Sequence, residues 1–301
     1  MLVERRKYGL KFRVLCSLGT PDNDVGGFIV WDGDPLIYMA ICNYLINQKA
    51  RWDILELNDF LLDSSETREL ITFFTHAGFI YTQKNNRHFY LPIQGDWQSY
   101  MGRLSQNLRG DLRRKVRRIE RQGQLTFKHH SGQEVTCWDI STIFEINKYG
   151  RYPYLYRSSE ERAFQRELLA LMSDRGWLDF FFLYINDQPV AYRYGFIFNG
   201  KFEDWRNGFN TQYFELSVGK VLLMLVIEDC FKRAYEGVDF LRGDEDYKIH
   251  WQIQERTYTQ LRFVATNRPL PMIAYIWPPR LKSLLNKRAP GKPQVTGDER
   301  K

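Results

Sequence analysis

Val238-Asp239-Phe240-Leu241-Arg242-Gly243-Asp244-Glu245-Asp246-Tyr247-Lys248-Ile249-His250-Trp251 ends a short apolar strand in a glycine turn and then crowds five ionisable side chains together. Val238, Phe240 and Leu241 are strand residues that can be buried. Asp244, Glu245, Asp246, Tyr247 and Lys248 follow at the strand's carboxyl end, where open α/β sheets place their ligands. Taken alone, an acidic turn of this kind is more often a solvated loop whose charges neutralise one another. Its neighbours change that balance.

Immediately upstream, a helix is expected from Ser217, closed by Gly237. Its unbroken apolar run Val221 to Ile227 reads as a helix buried nearly all round against a sheet. Ser217 is a good helix cap, Gly219 falls in the first turn, and a helix start of this kind offers unpaired N–H groups to an anion. Lys220 is the odd residue, because a capping box prefers Glu or Gln there and a cation at that end costs roughly 0.3–1 kcal/mol. A bound anion would remove that cost; the alternative is an ordinary capped helix with an exposed lysine. Further upstream, Leu178–Ile185, Pro189–Phe198 and Lys201–Phe209 read as three antiparallel strands joined through Asn186-Asp187 and Asn199-Gly200. A strand near Tyr258–Val264 follows the charged turn.

The remainder alternates in the same manner. Gly27–Trp31 reads as a strand. Asp34 caps a helix with Pro35 at its first position, turning Ile37, Ala40, Ile41, Tyr44 and Leu45 inward. A strand at Asp53–Leu57 precedes a helix from Ser65 to Ala77, with Leu70, Phe73, Phe74 and Ala77 on one face and Gly78 ending it. Phe79–Tyr81 and His88–Ile93 look like paired strands around a Lys84–Arg87 turn. Leu125–His130 reads as a strand, followed by helical pattern through Trp138, Ile143, Phe144 and Ile146. A tyrosine-rich loop at 151–156 and a helix over 159–175, with Phe164, Leu168, Leu171 and Met172 on a common side, complete the pattern.

The net charge of +7 is unevenly held. Residues 101–122 carry eight cations (Arg103, Arg109, Arg113, Arg114, Lys115, Arg117, Arg118, Arg121) against Asp111 and Glu120. Leu104, Leu108, Leu112, Val116 and Ile119 recur every three or four residues there, so the segment is an amphipathic helix with a basic remainder. No apolar run approaches the roughly 18 residues of a membrane helix, and the amino terminus lacks a signal peptide's apolar region. A cytoplasmic protein without membrane insertion is expected. Cys16, Cys42, Cys137 and Cys230 are widely spaced and the five histidines lack ligand spacing, so neither a disulfide framework nor a metal site is indicated.

The order meander, glycine turn, buried helix, short strand, charged turn resembles the GNAT acyltransferase core. Trp205-Arg206-Asn207-Gly208-Phe209-Asn210, Leu216-Ser217-Val218-Gly219 and Asp239–Lys248 with Trp251 resemble the BcsL/CelD-type acetyltransferases, a FemABX-like GNAT branch linked to exopolysaccharide and cellulose synthesis. The resemblance runs from about Phe28 to Val264. It implies an α/β fold of two GNAT-like halves: 1–100, a basic linking helix at 101–123, the acyltransferase half at 124–270, and a segment at 271–301 whose polar tail is expected to be disordered. Relatives of this type carry more residues before the first strand, which implies a late start here.

By that resemblance Ser217, Val218, Gly219 and Lys220 hold the pyrophosphate of an acyl-CoA, with acetyl-CoA the expected donor and no metal required. The usual GNAT turn, Gln/Arg-x-x-Gly-x-Gly/Ala, is met here only at Gly219. FemABX relatives use aminoacyl-tRNA instead, an option that the basic helix keeps open. Acyl transfer needs a base, donors to the oxyanion and an acid for the leaving group. Glu245 is the candidate base, crowded by Asp244 and Asp246; Tyr247 is the candidate donor to the leaving sulfur; Lys248 would hold an acceptor phosphate or the oxyanion. Asp204, Arg206, Asp244, Arg113 and Arg117 are the candidate acceptor contacts. For Asp204 and Arg206 a cross-strand ion pair is equally open, as is a solvated helix face for Arg113, Arg114, Arg117 and Arg118. A nucleic-acid-binding module and a non-catalytic scaffold are the rival classes, and oligomeric state is not readable.

Overall fold

The computed structural model describes residues 1–20, 23–150, 158–243 and 248–278. In chain order the elements are β1 (Leu2–Lys7), β2 (Leu10–Cys16), α1 (Pro35–Asn47), β3 (Ile54–Leu61), α2 (Ser65–His76), β4 (Phe79–Pro92), α3 (Trp97–Arg103), α4 (Gln106–Glu120) and β5 (Leu125–Ser131). There follow α5 (Cys137–Lys148), α6 (Ser159–Asp174), β6 (Leu178–Ile185), β7 (Gln188–Phe198), β8 (Lys201–Phe209), α7 (Val218–Lys232), β9 (Gly237–Arg242) and β10 (Gln254–Ala265). The chain divides into two compact units: 1–86 with 257–301, and 87–256. The long strands β4 and β10 each contribute residues to both, and the basic helix α4 is internal to the second.

In the first unit the strand order is β1-β2-β3-β10-β4. The β1–β2 hairpin, turned by Tyr8 and Gly9 at positive φ, lies in a region to which the sequence pattern assigned nothing. Gly27–Trp31 is not a strand: Phe28 packs edge-on against Tyr38 and Phe60, and the chain turns through a short 3-10 segment at Trp31–Gly33. Asp34 does cap α1, accepting from the Leu36 N–H at 2.8 Å. The face α1 buries is that of Tyr38 and Cys42 rather than Ile37, Ala40 and Tyr44, because a helix with no charged residue and apolar residues on most sides gives no clear stripe from which to read its orientation. The expected hairpin at 79–93 is one continuous strand, β4. The chain stays extended through Lys84–Arg87, where Asn86 donates to the Asp59 carboxylate at 2.9 Å instead of serving a turn.

The second unit carries the order β4-β9-β8-β7-β6-β5. Its meander follows the expected bounds closely, with Asn186, Asp187, Asn199 and Gly200 all at positive φ in the two hairpin turns. Every residue of β6 is buried because the sheet is covered twice. Phe181, Leu183 and Ile185 pack with α4 and α7, whereas Phe180, Phe182 and Tyr184 pack with α5 and α6. On α6 the buried face is Gln165, Leu169 and Ser173; of the expected Phe164, Leu168, Leu171 and Met172, Met172 packs against the core and Leu168 is half-buried, whereas Phe164 and Leu171 are exposed. The two polar residues are admitted because each has a partner: Tyr194 donates to Gln165 at 3.1 Å and Ser173 to the Gly132 carbonyl at 2.7 Å. Helix α7 ends before Gly237, with Ala234 taking the left-handed turn, and Gly237 opens β9 against the Tyr90 ring, where a Cβ would lie 2.3 Å from the phenol oxygen.

A buried ionic cluster ties β5, β6 and α7 together. The His129 ring lies between Asp179 at 3.1 Å and Asp229 at 2.9 Å; Tyr235 donates to Asp179 at 2.7 Å and Arg233 to Asp229 at 2.8 Å. Burial works against the charged imidazole, but the two carboxylates outweigh it and raise its pKa above the ordinary histidine value. The raised value makes this contribution to stability full below the unfolded pKa of about 6.5, with loss as pH climbs through the folded value. Urea unfolding from pH 6 to 9 is therefore expected to show a decline in wild type that His129→Gln lacks; equal slopes in the two proteins would refute the assignment.

Candidate active site

The second unit places a cleft where β8 leaves β9. These strands run parallel, but pairing is confined to Lys201–Glu203 against Gly237–Asp239, after which β8 continues to Phe209 and β9 to Arg242. The cause is local. The β7–β8 register slips between Tyr194 and Phe196, and Gly195 meets the backbone so closely that a Cβ would sit 1.8 Å from the Glu203 carbonyl oxygen. A bulge of this kind bends its strand and exposes the sheet edge beside it.

The chain then passes through a 3-10 segment at Thr211–Leu216 into α7, whose amino end lies at the carboxyl end of β8. Ser217 caps this helix by position only. Its backbone is left-handed (φ 53°, ψ 41°), and its hydroxyl, instead of capping, accepts from Lys115 Nζ at 2.9 Å. The N–H groups of Lys220 and Val221 reach the Ser217 carbonyl at 3.0 and 3.2 Å. Those of Val218 and Gly219 have no acceptor among the described residues. The cost expected for a lysine at this end is met within the protein: Lys220 Nζ is 2.8 Å from the Asp111 carboxylate, which Lys115 also approaches at 3.6 Å. Burial pushes the Asp111 carboxyl up, but Lys220, Lys115 and Arg114 prevail and hold it below the usual carboxylate range.

These groups line a cavity of about 470 Å³. Helix α4 contributes Lys115 and Arg118, β8 contributes Asn207 and Phe209, and the start of α7 contributes Ser217, Gly219 and Lys220. The walls are mainly apolar, and the charged groups are cationic apart from Glu215, so the space suits an anion carried on an apolar arm. A second, more polar cavity of about 450 Å³ shares Arg118 and Glu215 with it and is lined by Gln122, Asn186, Gln188 and Gln212.

Of the residues singled out from sequence, Ser217, Gly219 and Lys220 come together on this cavity, and Val218 is fully buried beneath it. Asp204 is buried and ion-paired across the sheet with Arg193, and Arg206 stacks on the Trp205 ring at 4.7 Å. Arg113 and Arg117 are exposed on α4, and it is Lys115 and Arg118 that reach the cavity. Asp244, Glu245 and Tyr247 lie outside the described residues, as does the 151–156 loop; Lys248 opens a 3-10 turn ending at Trp251. Sequence reasoning missed Arg193, Lys115 and Asp111 as neighbours of the helix start. The spacing of Asp111 and Lys115 one turn apart was the available signal, but its relation to Lys220 was not.

Residues 106–249, which span α4, the meander, α7 and β9, match the acetyltransferase (GNAT) domain family. The chain carries a GNAT-type acyltransferase domain. No curated protein matches the chain. Among solved structures, FemX is similar at a TM-score of 0.61 with 10% identity, covering 90% of this chain and 85% of its own. The C-terminal domain of an Agrobacterium fabrum protein assigned as a lysylphosphatidylglycerol synthetase follows at 0.54 and 10%, covering 90% and 82%. L-PGS from Bacillus licheniformis is similar at 0.51 and 12%, covering 85% and 80%. Identities this low speak to the fold, which is the mixed-sheet α/β fold of GNAT acyltransferases. No described helix is long and apolar enough to cross a membrane, and the described residues hold no cluster of three His, Cys, Asp or Glu that could bind a metal.

Proposed function

We propose that the second unit of this GNAT-type acyltransferase takes its acyl group, acetyl in the simplest case, from a CoA thioester and transfers it to an amine or hydroxyl. The observation that carries this reading is the convergence of Lys115, Arg118 and Lys220 on the amino end of α7, beside the diverging strands β8 and β9. A helix start and three cations favour a pyrophosphate, and the apolar walls favour the pantetheine arm. A saccharide precursor as acceptor is supported by the motif resemblance at Asp239–Lys248. Glu245 as base, Tyr247 as acid and Lys248 as oxyanion or phosphate contact remain its mechanism.

An aminoacyl-tRNA donor is the second reading. It is favoured by Arg113, Arg114 and Arg117, exposed along α4, and by the fold shared with FemX and the lysylphosphatidylglycerol synthetases, the latter named for a lysyl group joined to a lipid. Calorimetry separates the two. Wild type is expected to bind acetyl-CoA, and Gly219→Glu to weaken it roughly tenfold or more. A Cβ at Gly219 meets only the Phe209 ring at 3.4 Å, so the new carboxylate rather than misfolding is responsible. Wild type that ignores acetyl-CoA but binds tRNA, with steep salt dependence, would overturn the first reading in favour of the second.

A further inference from the structure

The thirteen residues of α1 include no charged side chain. Tyr38 and Cys42, with Leu45 and Ile46 beside them, pack into the core of the first unit. The opposite side is uncharged and open: Leu36 is 72%, Met39 47% and Tyr44 61% exposed, with Leu36, Ala40 and Tyr44 stacked at successive turns and the exposed Asn43 and Asn47 as the polar side chains among them. The segment leading into the helix extends this surface. Phe28 and Val30 pack inward while Ile29 and Trp31 point outward, 102% and 81% exposed. Large apolar side chains gathered on the exposed side of a helix and on the segment leading into it form a contiguous patch of the kind that marks an interaction surface.

We infer that this face is covered by a second copy of the chain, with α1 packed antiparallel against α1 of the copy across a two-fold axis near Ala40. Charge placement selects this arrangement. Asp34 stands at the amino end of the helix, and Lys49 and Arg51, both exposed, stand just past its carboxyl end. An antiparallel pair sets each copy's Asp34 near the other's Lys49 and Arg51 and opposes the two helix dipoles, whereas a parallel pair would bring like charges together. The same charges disfavour an anionic bilayer, because Asp24, Asp32 and Asp34 outnumber the two cations along this stretch, where a lipid-binding helix presents a cationic rim. The area is sufficient. With fully exposed large apolar side chains offering about 150–250 Å² each, Ile29, Trp31, Leu36, Ile37, Met39 and Tyr44 present on the order of 800 Å² per copy, the size of a standard interface.

Sedimentation velocity of the full chain across the micromolar range tests the inference. Wild type is expected to form dimers, and Leu36→Glu combined with Tyr44→Glu to leave only monomers that melt as wild type does at concentrations too low for it to dimerise. A cross-linking pair keeps the test independent of that variant's folding. With the exposed Cys137 first replaced by Ser, Ala40→Cys is expected to form a disulfide-linked dimer on oxidation, while Asn47→Cys, far from the axis, is not. Wild type that stays monomeric throughout, or equal cross-linking at both positions, would overturn the proposal. So would a monomer that floats with phosphatidylglycerol–phosphatidylcholine vesicles, since a bilayer would then be the occupant.

Discussion

Asp204→Ala is expected to destabilise the protein by about 3–5 kcal/mol, because it leaves the Arg193 guanidinium in the interior without this carboxylate. The two side chains are 3% and 4% exposed and pair across β7 and β8. Taking two charges out of water costs more than an exposed pair returns, so the partners hold each other in place and neither is dispensable alone. Replacing both, as Arg193→Met with Asp204→Leu, is expected to recover most of the loss, since well-packed apolar residues of similar volume often equal or exceed a buried ion pair. Urea unfolding of the two single variants and the double variant gives the answer. If Asp204→Ala instead unfolds like wild type and loses only acceptor affinity, Asp204 acts as a ligand group and the ion pair is incidental. Arg193 also lines the donor cavity, so the pair holds one wall of the proposed site.

Lys115→Ala is expected to lower acetyl-CoA affinity roughly tenfold to hundredfold, the worth of a hydrogen bond to a charged group of about 1.5–3 kcal/mol. Asp111→Asn should act in the opposite direction. Asp111 engages both Lys220 and Lys115 and so competes with any anion at the helix start. Its neutral replacement should tighten donor binding severalfold while weakening the packing of α4 on α7. Opposite signs from neighbouring substitutions are difficult to obtain from general destabilisation, which would make both weaker. Titration calorimetry at two ionic strengths checks the pair, with the larger salt effect expected in Asp111→Asn.

Much of the second unit was legible because its signals are local. Asn199-Gly200 takes the positive φ that a two-residue hairpin demands, and the run Val221–Ile227 could only be a helix covered on nearly every side. The first unit was less legible for an equally physical reason. A polar stretch such as Lys84–Arg87 reads as a turn until β3, two strands away in the sheet, supplies Asp59 for Asn86, and a helix without a charged residue such as α1 conceals which side faces the core. At the candidate site, the helix start and its lysine were visible, and so was the tension between them. The resolution was not, because Asp111 and Ser217 reach their partners across more than a hundred residues of chain. Ser217 illustrates the limit best: its residue type predicts a side-chain cap, and a tertiary partner, Lys115, claims the hydroxyl.

Amide hydrogen exchange tests, without knowledge of the acceptor, whether the amino end of α7 receives the anionic part of an acyl donor. With acetyl-CoA added to saturation, slowed exchange is expected in peptides covering 217–221, where the Val218 and Gly219 N–H groups would gain an acceptor, together with protection of 113–118 on α4. Protection elsewhere with none at 217–221, or no change at any concentration of acetyl-CoA, would contradict it.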